Sequence, residues 1–210
     1  MSLLSEVRVA VRKVRRIAGL REPAPVLDAN YYQTLHEQES YQANNWLVAD
    51  LPFLKQQTSG VLVEIGCGNG RFVDAAAEHF ARIEACDWAK SPLLREILPR
   101  HSNVAFHACD VTEDELALSG DLVASADVLE HFPLESLQPT LAKIDAVAPL
   151  AYHKIACYHD GHSHLSVMAP EEWLQRFRQL EPAYRLLRVE HRRGNPQHAV
   201  AVIGKNLREA

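Results

Sequence analysis

The feature that most constrains this chain is an apolar run that ends in a glycine-rich turn, VLVEIGCGNG at residues 61–70. The mostly aliphatic residues 61–65 predict a buried strand. The segment after the turn has helical spacing, with Phe72, Val73 and Ala76 on one side. A strand, a glycine turn and a helix in this order direct backbone N–H groups and a helix N-terminus toward a ligand. The run therefore predicts a ligand-binding turn, although glycines alone do not identify the ligand.

Strand-like and helix-like segments alternate after this turn. Further strands are predicted at residues 83–86, 104–108, 122–126 and 150–157, with helices after Ser91-Pro92 and over residues 133–144. This alternation predicts a parallel sheet covered by helices on both faces. Two later strands, at residues 184–190 and 199–204, follow each other without a helix, which predicts an antiparallel hairpin at the sheet edge.

Composition limits the class of protein. The chain has 210 residues, 47% of them hydrophobic, and a net charge of -5. It therefore fits one domain with a small appendage and has no overall attraction to nucleic acid. The four cysteines form no CxxC pair, which predicts unpaired thiols in a reducing cytoplasm and neither a disulfide framework nor a zinc knuckle. No apolar run is long enough to span a bilayer, and no signal peptide is indicated.

The first 60 residues are expected to form two regions ahead of the domain at residues 61–210. Residues 1–20 predict a basic amphipathic helix that packs on the domain, docks on an anionic membrane surface, or contacts a partner protein or second subunit. Residues 21–60 predict a linker and packing helices, one of them running from near Ser40 to Leu54. These helices either pack on the domain or close over the ligand; the aromatic residues of such a lid would be Tyr31, Tyr32, Tyr41 and Trp46.

Carboxylates lie at the carboxyl ends of the first three predicted strands. Glu64 precedes the glycines, where it would repel a pyrophosphate and receive the ammonium or ribose side of a cationic cofactor. Asp87 can accept hydrogen bonds from both hydroxyls of a ribose. Asp110 can accept from an adenine amine, next to the apolar edge and backbone N–H of Val111. Each could instead cap a helix, but three around one crevice favour a binding site.

Four motifs together resemble those of class I S-adenosylmethionine-dependent methyltransferases. They are EIGCGNG at residues 64–70, CDWAKSP at 86–92, CDV at 109–111 and SADVLEHFP at 125–133. The likeness covers residues 47–205. It implies an α/β, Rossmann-like, doubly wound sheet of strand order 3-2-1-4-5-7-6, with S-adenosyl-L-methionine as the cofactor. The cofactor-binding residues that it implies are Glu64, Gly66, Cys67, Gly68, Asp87, Trp88, Asp110, Val111, Ala126 and Asp127.

Histidines are the catalytic candidates, because a hydroxyl acceptor must lose a proton and histidine is the natural base near neutral pH. His131 follows the fourth strand, where it is either this base or a structural residue of the cofactor shell. His153 and the loop YHDGHSH at residues 158–164 form a second cluster, at the end of the fifth strand where substrate loops lie. The loop candidates are His159, His162 and His164. The loop could hold a metal, but its spacing is not that of a helical ligand pair, so no metal is predicted.

The acceptor is expected to be a small molecule or a glycan. No Asn/Asp-Pro-Pro-Tyr/Phe motif follows the fourth strand, which argues against a nucleic-acid amino-methyltransferase. The stretches YQANNW at residues 41–46, HLS at 164–166 and PEEW at 170–173 resemble small methyltransferases of bacterial surface-polysaccharide assembly. This likeness implies O-methylation of a sugar, with a terminal Kdo as one candidate.

Two alternatives stay open for the function: a methyltransferase for a small metabolite or quinone, and a non-catalytic S-adenosylmethionine-binding module that serves a partner enzyme. A nicotinamide dehydrogenase is disfavoured because Glu64 precedes the glycines. The expected location is the cytoplasm, with peripheral contact at the inner membrane face as a variant.

Overall fold

The computed structural model describes residues 27–43 and 45–209, so the basic helix predicted at residues 1–20 lies outside the described residues. A seven-stranded sheet forms the centre of the described structure. Its strands are β1 (Val61–Ile65), β2 (Arg82–Asp87), β3 (Val104–Ala108), β4 (Leu122–Ala126), β5 (Leu150–Ala156), β6 (Tyr184–His191) and β7 (Ala199–Lys205).

The order of the strands is β3-β2-β1-β4-β5-β7-β6, which confirms the predicted topology. The first five strands pair in parallel. Strand β7 runs antiparallel to both β5 and β6, as expected for two strands joined without a helix. The chain order therefore reverses between β1 and β4, and a crevice forms there at the carboxyl ends of the strands.

Helices surround this sheet, and the α-helices are α1 (Ala29–His36), α2 (Glu39–Gln42), α3 (Leu51–Leu54), α4 (Arg71–Ala76), α5 (Pro92–Ile97), α6 (Leu134–Asp145) and α7 (Pro170–Arg178). The predicted cap of α5 is present, since the Ser91 hydroxyl accepts a hydrogen bond from the Leu94 N–H and Pro92 occupies the first turn. Within the described residues, no helix is both long and apolar enough to cross a membrane.

Both faces of the sheet are buried, which explains why the central strands are continuously apolar. Leu62 of β1 packs into a cluster with residues of α4 and α5, whereas its neighbour Val63 packs into a second cluster with residues of α6 and α7. Phe72 and Trp173, each fully buried, are large side chains of these two clusters. The sheet is thus held rigidly between two helical layers, and its carboxyl edge is a fixed platform.

The single helix predicted from Ser40 to Leu54 is wrong. The chain forms α2, a 3-10 turn at Val48–Asp50 and then α3. The Asn45 side chain accepts a hydrogen bond from the Leu47 N–H at 3.0 Å, a local bond that competes with helical hydrogen bonding. Pro52 then lies in the first turn of α3, where a proline begins a helix more readily than it continues one.

Asp50 holds this broken segment on the sheet. Its carboxylate accepts from Lys154 Nζ of β5 at 2.8 Å and from Arg188 Nη2 of β6 at 2.7 Å. Lys154 Nζ also donates to the Trp46 carbonyl at 3.3 Å. These bonds fix residues 45–50 at the carboxyl side of β5.

Two cysteines form a disulfide, contrary to the expectation of four unpaired thiols. Cys86 of β2 and Cys109, directly after β3, are bonded, with their Cα atoms 6.4 Å apart. The parallel pairing of β2 and β3 brings together residues that are 23 positions apart in sequence, and cysteine spacing alone does not reveal that. Cys67 and Cys157 are unpaired. The cysteine-based argument for a reducing compartment therefore no longer stands.

The turn after β1 requires glycine at Gly66 for two reasons. Its φ is +72°, a left-handed conformation that side chains disfavour, and an added Cβ would lie 2.2 Å from Cγ2 of Val128. Val128 follows β4, so the turn and the β4 loop pack together without room for a methyl group.

We expect Gly66→Ala to destabilise the protein more than Gly194→Ala. Gly194 has a nearly identical φ of +70°, but an added Cβ there would have nothing within 4 Å, so its substitution tests backbone strain alone. That strain costs about 1–2 kcal/mol. The clash with Val128 should add about 1–3 kcal/mol at Gly66. Urea unfolding of both variants measures the difference, and equal losses would contradict the close packing described here.

Candidate active site

A cavity of about 850 Å³ opens at the carboxyl ends of the parallel strands, where β1 and β4 are neighbours. One side is formed by the glycine turn and the ends of β2 and β3. The other side is formed by the residues after β4, the loop after β5 and the β6–β7 hairpin. Residues 27–43, called the cover segment below, contain α1 and α2 and contribute side chains to the cavity wall.

Asp87 organises the glycine turn from the end of β2. Its Oδ2 accepts from the Gly68 N–H at 2.7 Å, and its Oδ1 accepts from the Ala89 N–H at 2.9 Å. Burial raises the pKa of Asp87, while the nearby His36 and the backbone N–H groups act in the opposite direction. The carboxylate therefore shapes the turn and also lines the cavity.

Glu64 is a buried carboxylate that lines the same part of the cavity. Within the described part of the chain, its Oε2 atom has no hydrogen-bond partner. Burial, together with the charge of Asp87, raises the pKa of Glu64 well above its ordinary value. An unpartnered buried carboxylate is unfavourable unless a ligand donates to it or carries positive charge. The site thus fits a ligand with cationic or hydrogen-bond-donating groups.

The predicted adenine side lies at the ends of β2 and β3. Asp110 and the mostly buried Val111 line the cavity beside Trp88. One oxygen of Asp110 accepts from the Thr112 N–H at 2.9 Å and from the Thr112 hydroxyl at 2.6 Å. The Tyr32 ring of the cover segment lies 5.8 Å from the Trp88 ring. This side combines a carboxylate with apolar and aromatic walls.

Ala126 and Asp127 also line the cavity, but the Asp127 carboxylate is engaged by Arg192. The guanidinium makes two contacts to it, one of them 2.7 Å from Nη2 to Oδ1, and lies 3.8 Å from the centre of the Trp46 ring. Arg192 belongs to the β6–β7 hairpin. The bidentate pair therefore joins the end of β4 to the hairpin and forms one wall of the cavity.

His131 and His164 come together on the far side of the cavity, with ring centres 5.0 Å apart. His131 Nδ1 donates to the Ser163 carbonyl at 3.0 Å, and His164 Nδ1 donates to the Tyr158 carbonyl at 2.5 Å. With Nδ1 as the donor, Nε2 of each neutral ring keeps its lone pair. Burial lowers the pKa of His131, which favours that neutral form.

Backbone bonds hold the loop after β5 against the 3-10 turn Leu129–His131. The N–H groups of Leu165 and Ser166 both donate to the Glu130 carbonyl, at 2.8 and 2.9 Å. The Ser166 hydroxyl donates to the Phe132 carbonyl at 2.7 Å. His131 and His164 are therefore neighbours because two distant loops share one set of hydrogen bonds.

Asp160 gives the loop its internal shape. Its Oδ1 accepts from the backbone N–H groups of His162, Ser163 and His164, at distances of 2.8–3.0 Å. Partial burial raises its pKa, but these bonds and the Ser163 hydroxyl outweigh burial and hold the pKa below its ordinary value. Asp160 thus stays ionised and fixes the positions of the histidines around it.

Of the remaining predicted histidines, two lie at the rim of the cavity and one lies in the core. His159 and His162 are exposed residues at the cavity rim, where His162 Nδ1 lies 3.0 Å from the Tyr31 hydroxyl. His153 is not in the site, contrary to its grouping with the loop. It points from β5 into the core, where it stacks on Phe177 at 5.1 Å, and burial lowers its pKa to about 3.

Three site residues were not assigned roles from the sequence. Arg192 and His36 lie far from the motifs, and only the fold brings them to the cavity. Glu130 is fully buried beside His131, with its Oε2 unpartnered within the described residues. Burial and the charge of Asp127 raise the pKa of Glu130 to about 8. An acidic residue between Leu129 and His131 in the VLEH motif was the available signal.

The sequence comparison identifies one domain. Residues 63–148 match the family described as a methyltransferase domain. No curated protein matches the chain significantly.

Solved structures resemble the fold at low sequence identity. The N-methyltransferase NodS from Bradyrhizobium japonicum, in complex with S-adenosyl-L-homocysteine, has 17% identity and a TM-score of 0.62, over 85% of this chain and 99% of that one. A 1,6-didemethyltoxoflavin-N1-methyltransferase from Burkholderia thailandensis has 18% identity and a TM-score of 0.62, over 90% and 95%. The N-terminal domain of EvdMO1, in the presence of SAH and D-fucose, has 12% identity and a TM-score of 0.60, over 77% and 82%.

Three kinds of observation agree on the fold and on the domain. The sheet has the predicted order, and the described residues form one cavity at its topological switch point. That cavity contains the unpartnered Glu64 oxygen, and the domain match spans β2 to β4. Residues 63–148 therefore form a methyltransferase domain, and the fold is that of solved S-adenosylmethionine-dependent methyltransferases.

Proposed function

We propose that this enzyme methylates a hydroxyl oxygen of a small polar acceptor, and that the acceptor is a sugar. The observation that carries the proposal is the pair His131 and His164. Both line the cavity, and both have Nδ1 bonded to a backbone carbonyl, so that their Nε2 lone pairs are available to an acceptor. A hydroxyl needs such activation before methylation, because its proton must leave.

The half of the cavity next to β1, β2 and β3 is proposed to hold the cofactor. When bound, S-adenosylmethionine supplies a methyl group on a positively charged sulfur. Glu64 and Asp87 place two carboxyl groups in this half, where they can accept hydrogen bonds from the ribose hydroxyls and can ionise beside the positive charges of that molecule. Trp88, Asp110 and Val111 suit an adenine. The other proposed cofactor-binding residues are Gly66, Cys67, Gly68, Ala126 and Asp127.

The half next to β4, β5 and the β6–β7 hairpin is proposed to hold the acceptor. Its rim residues are polar and can donate or accept hydrogen bonds, which suits a hydroxyl-rich ligand; they are Tyr158, His159, His162, Arg193, Asn195 and His198. No ion pair involving Arg193 occurs within the described residues, so its guanidinium is available to a carboxylate. An acidic sugar such as a terminal Kdo of a bacterial surface polysaccharide fits this charge.

The size of the cavity also supports a small acceptor. About 850 Å³ lies in the range of small-molecule sites, and this space has to hold the cofactor as well. The EvdMO1 domain, a fold relative, was crystallised in the presence of a sugar. Two other relatives are N-methyltransferases, so an amine or another small metabolite is the second candidate class.

The cover segment is proposed to close the cavity and exclude water. The Tyr32 ring lies between the two halves, 5.8 Å from Trp88 and 5.9 Å from His131. The Gln33 side chain accepts from the Lys90 N–H at 3.1 Å. For residues 1–20, the basic amphipathic helix and its docking role remain predictions from the sequence, as does the cytoplasmic location.

We expect Glu64→Gln to weaken S-adenosylmethionine binding by at least about tenfold, a loss of ~1.4 kcal/mol. The amide keeps the size of the side chain but loses the charge.

The same change should stabilise the ligand-free protein at pH 7, because it removes a buried ionisable group. The raised pKa of Glu64 makes the wild type lose stability as pH rises above the ordinary glutamate pKa. The advantage of the variant should therefore vanish below roughly pH 4. Calorimetric titration and urea unfolding measure both effects.

Glu84→Gln is the matched control on β2. Glu84 is bonded to Arg82 and His107; these bonds outweigh the effect of burial and lower its pKa. Its substitution should reduce stability at pH 7 and leave cofactor affinity unchanged. The assignment of Glu64 is wrong if its variant binds the cofactor as tightly as the wild type does.

The proposed acceptor class is tested with methyl-labelled S-adenosylmethionine and a panel of sugars, amines and quinones. Label should pass to an oxygen of a hydroxyl-bearing sugar, with acidic sugars favoured because of Arg193. His164→Ala should lower the rate by about 10²–10⁴-fold at unchanged cofactor affinity.

His101→Ala is the control for that assay. His101 is bonded to Asp74 at 2.7 Å, away from the cavity, so its loss should not alter the rate. Label found only on an amine or a quinone would sink the proposal of a sugar hydroxyl.

A further inference from the structure

We propose that Glu130, His131 and His164 form a binding site for a divalent transition-metal cation on the acceptor side of the cavity. One candidate ligand atom from each residue lies within 4.8 Å of the other two. Such a site differs from the sequence-based expectation of no metal. That expectation weighed the spacing within one loop, whereas this cluster joins two loops that meet only in the fold.

The two imidazoles are oriented as metal ligands usually are. A ligating histidine commonly donates its other ring N–H to a backbone carbonyl, which fixes the ring and its tautomer. Here His131 Nδ1 donates to the Ser163 carbonyl and His164 Nδ1 to the Tyr158 carbonyl. The His164 Nε2 atom lies 3.9 Å from Glu130 Oε1 and 3.9 Å from Asp160 Oδ2. The lone pair of His164 is thus beside two carboxylates.

Glu130 is an independent sign of a missing positive charge. The residue is fully buried, its Oε1 accepts from the Ala156 N–H at 3.0 Å, and its Oε2 has no hydrogen-bond partner within the described residues. In the same part of the chain, no lysine or arginine forms an ion pair with it. Buried carboxylates are normally paired or bind metals. A cation between the two histidines and Glu130 Oε1, which lies 3.9 Å from His164 Nε2, would provide a positive partner for this carboxylate.

The position of the cluster is fixed by the backbone before any ligand binds. The Glu130 carbonyl accepts the N–H groups of Leu165 and Ser166, which holds the loop after β5 beside the Leu129–His131 turn. The Asp160 carboxylate accepts the His164 N–H at 3.0 Å. Little rearrangement would therefore be needed to bring three ligand atoms onto one ion.

Two imidazoles and one carboxylate define the kind of ion. This mixed nitrogen and oxygen set suits zinc and other first-row divalent metals better than calcium or magnesium, which prefer oxygen ligands alone. Three protein ligands leave at least one coordination position open, as in catalytic zinc sites. We assign that open position to an oxygen of the acceptor. With the ion bound, the two histidines would act on the acceptor through the ion rather than as bases, because each Nε2 lone pair would be held by the metal. This role rests on the proposed function, whereas cation binding itself does not.

The test is a calorimetric titration of the full-length, EDTA-treated protein with Zn²⁺. Wild type should bind one equivalent, and Glu130→Gln and His164→Ala should each weaken binding by at least about tenfold. His101→Ala, at the carboxylate–histidine pair with Asp74, should bind like wild type. Circular dichroism establishes that each variant is folded. Zinc-edge anomalous scattering from wild-type crystals locates the ion without relying on any variant.

Zinc bound between the three side chains, with affinity lost in both variants, supports the inference. No binding, binding that both variants retain, or an anomalous peak elsewhere overturns it. The titration contains neither S-adenosylmethionine nor a sugar, so its result is separate from the test of the proposed function. Zinc binding without sugar methylation would contradict only the acceptor class.

Discussion

Two glutamates are buried in this part of the fold without a lysine or arginine of the described chain beside them, and the rest of the site depends on how they are compensated. Glu64 and Glu130 are both removed from water, and each has one oxygen without a partner among the described residues. Such groups oppose folding unless they are protonated or bound. The two helical layers pack both faces of the sheet and supply the stability that tolerates this cost. Binding of a positively charged ligand would therefore offset the free-energy cost of burying these carboxylates.

The two glutamates lie on different sides of the cavity: Glu64 lines its wall, and Glu130 is buried behind His131 and His164. Glu64 and Asp87 lie at the ends of β1 and β2, where a cationic nucleoside would fit. Glu130 lies after β4, beside His131 and His164. The Asp127–Arg192 pair also lies after β4, but its charges compensate each other, so it shapes the wall without adding charge. The proposed acceptor side is thus built from loops, whereas the proposed cofactor side is built from strand ends.

Much of the fold was predictable from the sequence, because it follows from short-range patterns. The strand order and the antiparallel edge agree with the alternating apolar runs and the helix-free hairpin. Helix α5 begins at the predicted cap, since Ser91 and Pro92 determine it locally. The segment before β1 was less predictable. There Asn45 competes with the helix through its own side chain, and the residues that hold the segment in place come from β5 and β6.

The site was predictable only where its residues follow strands directly. Glu64, Asp87 and Asp110 line one cavity as expected. The Cys86–Cys109 disulfide, by contrast, arises from strand pairing. His153 was misjudged because its side chain alternates into the core, a matter of strand register that a cluster of histidines in the sequence does not reveal.

We propose that the cavity at the β1–β4 reversal holds the cofactor against Glu64 and Asp87. A crystal structure of the full chain with S-adenosylhomocysteine tests it directly. We expect the amino-acid portion beside Glu64, the ribose hydroxyls on Asp87 and the adenine between Trp88 and Val111. Density for the ligand on the His164 side, with Glu64 left without a partner, would contradict that claim.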